Sequence, residues 1–151
     1  MTTTVNRSPS KHDERRRLTA VMYTGLVLTV LATVAPYIGR SVLAEHVRAG
    51  YPTYSPAQID SAVMTYLVIL CVVGVLGVGG WIWTAWAIRS GKRWARSATT
   101  FMFALGAVTA LTALLIRDTS GDTGLAPLLG WIGVVPCLAG LAAVAMLWRR
   151  P

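Results

Sequence analysis

WIWTAWAIRSGKRWAR, running from Trp81 to Arg96, sets four tryptophans and four basic residues in sixteen positions. An aromatic and basic cluster of this kind can grip nucleic acid or a lipid headgroup. It can equally mark the point where a helix leaves a membrane, turns and re-enters. What flanks it decides between these readings. Ala62–Ile88 before the turn and Ser97–Ile116 after it contain no Asp, Glu, Lys, Arg or His. Each is long enough to cross a hydrocarbon core about 30 Å thick. Ser90–Arg96 is too short for a domain, so the two runs form an antiparallel hairpin. Trp86 and Trp94 then sit at headgroup level, with Arg89, Lys92, Arg93 and Arg96 in an anionic interface.

Two further runs, Leu18–Ile38 and Leu125–Trp148, are equally free of ionisable residues. The 151-residue chain is 54% hydrophobic and 13% charged, about half the charge usual in globular domains, and four spans leave no room for a soluble catalytic domain. The expected fold is an all-α polytopic membrane protein, four transmembrane helices in an antiparallel bundle. The first span follows Arg15–Arg17 but is too long for a cleaved signal, and more spans follow, so it is an uncleaved anchor.

The net charge of +8 is distributed by topology. With the amino terminus inside, the inner segments carry eleven basic residues, among them Arg15, Arg16, Arg17, Arg149 and Arg150, against three in the outer loops. This positive-inside split predicts that both termini are cytoplasmic, in a bacterial cytoplasmic membrane. Trp148 joins Trp86 and Trp94 on the inner belt; Tyr37, Tyr51, Tyr54, Tyr66 and Trp131 form the outer one. The partner this predicts is a bilayer with anionic lipids on its cytoplasmic face, not a nucleic acid.

Residues 1–17 are expected to be a disordered basic tail, and 18–148 the membrane domain. Outer loop 39–61 follows the first span, with a short interfacial helix over Ser41–Ala49 that Gly50 stops by adopting the left-handed conformation before Tyr51-Pro52. In SPAQIDSAV, Ser55 and Gln58 form a capping box with Pro56 at the first helical position, and Asp60 complements the helix dipole. The helix can then run unbroken to Arg89, tilted or projecting at an end. Pro136 predicts a kink in span four.

Small residues recur where helices need to meet: Gly74, Gly77 and Gly80 on span two, Ala104, Gly106, Ala107 and Ala110 on span three, and Gly133, Pro136 and Gly140 on span four. In lipid, helices associate through such close-packing faces. Trp81 lies deep enough that its indole N–H needs a partner.

Few groups suggest chemistry. Cys71 and Cys137 lie at similar depth without a C-x-x-C motif, a histidine or an acid beside them, which favours two buried thiols over a redox pair. Asp118, Ser120, Asp122 and Gly124 resemble a calcium loop, but Thr123 and Leu129 stand where that motif needs glycine and glutamate. No metal, cofactor or catalytic residue is expected. With no ionisable group inside the spans, a proton-coupled transporter is disfavoured. A channel would need the threonines, Thr24, Thr29, Thr33, Thr84, Thr100, Thr109 and Thr112, on converging faces.

On SPAQIDSAV, WIWTAWAIRSGKRWAR and the short outer loops, the chain resembles small four-span membrane proteins of unknown function that are frequent in actinobacteria. That resemblance implies no catalytic residues. The expected role is a non-enzymatic membrane protein that self-associates or serves as accessory subunit of a membrane complex. The alternative is a small oligomeric channel or transporter.

Overall fold

The computed structural model describes residues 11–117 and 125–149. Residues 1–10 of the tail, the calcium-like segment 118–124 and Arg150 lie outside the described residues. Five helices follow in order: α1 (Lys11–Ile38), α2 (Arg40–Gly50), α3 (Pro56–Arg89), α4 (Ala95–Leu115) and α5 (Pro127–Trp148). The fold is all-α, and α1, α3, α4 and α5 are each long and apolar enough to cross a membrane. It is a polytopic membrane bundle.

The first helix corrects the expected tail. It begins at Lys11, so residues 11–17 are helical rather than disordered. Asp13 and Glu14 fall in the first turn, where carboxylates complement the positive end of the helix dipole. Pro36 sits inside the last turn, and after the single residue Gly39 the chain resumes as α2. The outer helix is one residue longer at each end than its sequence suggests, and its stop is different. Gly50 remains helical, and Tyr51 ends the helix by leaving the helical region (φ −130°, ψ 71°). The cause is Pro52, whose ring disfavours the helical region for the residue before it. Tyr51 and Tyr54 stack across the resulting turn, with ring centroids 4.6 Å apart.

Ser55 and Gln58 close the capping box as expected. The Ser55 hydroxyl accepts from the Gln58 N–H (3.4 Å), and the Gln58 side chain accepts from the Ser55 N–H (2.8 Å). Asp60 lies one residue past the first turn and instead pairs with Arg40 of α2 at 3.5 Å. From Pro56 the helix runs 34 residues, about 51 Å at 1.5 Å per residue, well beyond a straight crossing. It ends in a Schellman motif: the Lys92 N–H donates to the Ala87 carbonyl, and the Gly91 N–H to that of Ile88. Gly91 holds φ +63°, the left-handed conformation that had been expected at Gly50. The signal was present in the sequence as a glycine just past the last apolar turn.

Around the bundle, α1 packs on both α3 and α5, and α4 packs on α5. The ring closes through α3 and α4, which meet far less extensively. No Cα of α3 comes within 8 Å of one of α5. Two buried clusters seal the ends. At the α2 end, Leu43 and Val47 pack with Ile59, Val63 and Leu67 of α3 and with Leu125, Ala126 and Leu129. At the other end, Leu18 and Met22 of α1 pack with Ala143 and Leu147 of α5. That end also carries Arg15–Arg17, the α3–α4 turn and Arg149, and is called the basic end below.

Candidate functional site

Between the two sealing clusters the bundle is not filled. A cavity of about 410 Å³ lies among α1, α3, α4 and α5. Glycine makes it possible, because side chains that would close the space are missing. Gly106 of α4 and Gly133 of α5 line the cavity, and a β-carbon added at either would meet nothing within 4 Å. Eight of the ten residues expected at helix contacts line it: Gly74, Gly77, Gly80, Gly106, Ala110, Gly133, Pro136 and Gly140. Some serve contact and lining together. Gly74 presses on Thr33, Gly77 on Thr29, and Gly140 on Phe103. Ala104 and Ala107 do not line the cavity, and Ala104 is exposed.

One side chain partitions the interior. Trp81 reaches from α3 across the face of α1, where its ring lies on Gly25 so closely that no β-carbon fits there. Its Nε1–H donates to Thr29 Oγ1 at 2.8 Å, the partner that a deep indole requires. On one side Trp81 walls the central cavity. On the other it walls a groove of about 220 Å³ at the basic end, bounded by Met22, Tyr23, Trp86 and Arg89. Arg89 caps that groove. Its guanidinium lies 5.4 Å from the Tyr23 ring centroid and donates to the Tyr23 hydroxyl. Sequence reasoning missed Gly25; an isolated glycine in an apolar helix, one turn before Thr29, was the available signal.

The threonine faces do converge, within one chain. Thr29, Thr33, Thr84, Thr99 and Thr109 all line the cavity. Each donates its hydroxyl proton to the carbonyl four residues earlier, at 2.7 to 2.9 Å. Such bonds are the usual resort of threonine in a membrane helix, and they leave these hydroxyls with no free proton to offer a ligand. Thr99 had not been singled out. Thr100, its neighbour, donates to the Arg96 carbonyl at 3.0 Å in the same way and also accepts from Trp148 Nε1 at 3.0 Å, which ties the end of α5 to α4. Thr24 and Thr112 face outward.

Most of the residues expected at the membrane interface are exposed at the ends of the bundle. Arg15, Arg16, Arg17, Arg89, Lys92, Arg93, Arg96 and Arg149 are exposed at the basic end, as are Trp86, Trp94 and Trp148. Trp83 and Trp94 pack together across the hairpin with centroids 5.2 Å apart. At the α2 end Tyr37 and Trp131 are exposed, and the Tyr37 hydroxyl donates to the Leu67 carbonyl at 3.3 Å. The cysteines do not meet. Cys137 lines the cavity from α5, whereas Cys71 belongs to α3, and those helices stand diagonally opposite. A disulfide needs Cα atoms within about 7 Å, so no bridge forms within one chain.

Comparison with protein-family models, with curated proteins and with solved structures gives no match. The site must speak for itself.

Proposed function

We propose that this chain is a non-enzymatic integral membrane protein of a bacterial cytoplasmic membrane that takes an apolar component of the bilayer into the core of its bundle. The observation that carries this reading is the cavity itself, glycine-lined, bordered by all four long helices and within the size range of ligand sites. A channel finds less support, because buried apolar clusters close the bundle at both ends. Self-association or attachment to a larger complex would draw on Ala104 and Ala107, since the other small residues already face the interior.

The orientation we assign puts the basic end in the cytoplasm, from the eleven-to-three division of basic residues and its expected pairing with anionic lipid. A cysteine at Thr53 should then be labelled by an impermeant maleimide on intact cells, and one at Ser90 only after permeabilisation. The reverse pattern inverts the topology.

The function is tested by purifying the chain in a gentle detergent and measuring by mass spectrometry what accompanies it. A stoichiometric apolar small molecule or lipid is the expected result. A stoichiometric protein with no such molecule would make the chain an accessory subunit instead.

A further inference from the structure

Among the described residues, the least closely packed wall of the cavity is the one where α3 meets α4. The cavity's α2 end is closed by the Leu43–Val63–Leu129 cluster, and its basic end by Leu18, Met22, Ala143 and Leu147. Toward α1 the wall is Trp81, held by Thr29 and seated on Gly25. The remaining side is the weakly packed seam between α3 and α4. There Leu76 and Leu105 line the cavity yet are 70% and 52% exposed, so they form a rim that faces the surrounding hydrocarbon. An occupant that enters past this rim reaches the cavity through the bilayer core.

We propose that the occupant is the hydrocarbon chain of a membrane lipid, admitted sideways between α3 and α4. The proposal rests on the reading of this protein as a membrane-embedded binding protein. Shape supports a chain: on α3 the lining runs from Leu70 to Thr84, about 21 Å of helix, so the space is long as well as narrow. Polarity supports hydrocarbon. The lining is largely apolar, the threonine protons are spent on backbone carbonyls, and the Trp81 N–H is spent on Thr29. A ligand with polar groups at this depth would find no donor to satisfy them, a costly outcome in a medium without water. A transmembrane helix is excluded by thickness. Gly80 of α3 stands within ordinary contact of Met102 of α4, its β-carbon position 3.4 Å from the sulfur, whereas a helix with side chains is about 10 Å across. The open glycines let a slender chain lie against the backbone.

The test reconstitutes the full chain in vesicles of phosphatidylethanolamine and phosphatidylglycerol in which one acyl chain carries a photoactivatable diazirine. Crosslinks should concentrate on the cavity-facing segments around Met102–Gly106 and Gly133–Cys137. A Gly106→Leu/Gly133→Leu chain fills open space and should lose these crosslinks about tenfold. Gly79→Leu, also with nothing within 4 Å of its β-carbon position but outside the cavity, should lose none. Crosslinks confined to the outward residues Leu111 and Leu138, unchanged by filling, overturn the proposal. If the filled chain does not fold, the crosslink map of the unsubstituted chain decides alone. Native mass spectrometry separates the two levels of the argument. A filling-sensitive adduct that is not a lipid overturns the lipid assignment and keeps the binding-protein reading. No filling-sensitive adduct of any kind overturns both.

Discussion

Replacing Gly74 by alanine is expected to destabilise the bundle by about 3 kcal/mol, the upper end of the range for overpacking a well-filled interior. The new β-carbon would lie 2.1 Å from Thr33 Oγ1, 2.4 Å from its Cγ2 and 2.7 Å from its Cβ. Thr33 cannot rotate clear. Its side chain is β-branched, and its hydroxyl is committed to the Thr29 carbonyl at 2.7 Å. The α1 and α3 backbones must move apart instead, and theirs is one of the main contacts of the ring. Reversible unfolding in detergent, compared between variants, measures the cost. Thr33→Ala should rescue it only in part, because the 2.7 Å clash with the β-carbon persists; Thr33→Gly should rescue it fully. An alanine at Gly74 as stable as the original would show that the two helices are not held at this approach.

Trp81→Ala should be as severe, costing about 3 kcal/mol, the low end of the loss for removing a large core aromatic because the ring is only partly buried. The ring spans from α3 to Gly25 and separates the two interior spaces, so its removal would merge them. The hydrogen bond alone is a smaller matter. Thr29→Val removes the acceptor but keeps the shape, and should cost about 1 kcal/mol, as interhelical hydrogen bonds in membranes do. Gly25→Ala should resemble the tryptophan deletion more than the threonine change, because its β-carbon would stand 2.3 Å from two ring carbons and drive the indole out of place. Unfolding free energies of the three variants, with tryptophan emission as a second readout, order these effects. If Thr29→Val costs as much as Trp81→Ala, the hydrogen bond rather than the ring holds α1 to α3.

The four long helices were legible because lipid imposes a rule that composition can reveal. A run of about twenty apolar residues without a charge has few other uses, and each run became a helix. Local chemistry was legible where short-range geometry decides it, as at Ser55 and Gln58. It misled at Gly50, where Pro52 determines the conformation of Tyr51 and the left-handed glycine falls instead at Gly91. The site was half legible. Gly74, Gly106 and Gly133 stood out as small residues, but sequence cannot say whether a missing side chain admits a neighbouring helix or leaves a void. That depends on which helices become neighbours. Gly74 meets Thr33 because α1 lies beside α3, whereas Gly106 meets nothing because α3 and α4 barely close. Trp81 was recognised as needing a partner, yet Thr29 lies 52 residues away and is one of ten threonines in the four apolar runs.

The most direct test of the account is a crystal structure of the full chain grown from a lipid mesophase. It should show elongated density lying along Gly77, Gly106 and Gly133, entering between Leu76 and Leu105. A bundle with α3 and α4 packed shut, and side chains filling the space among those glycines, would contradict it.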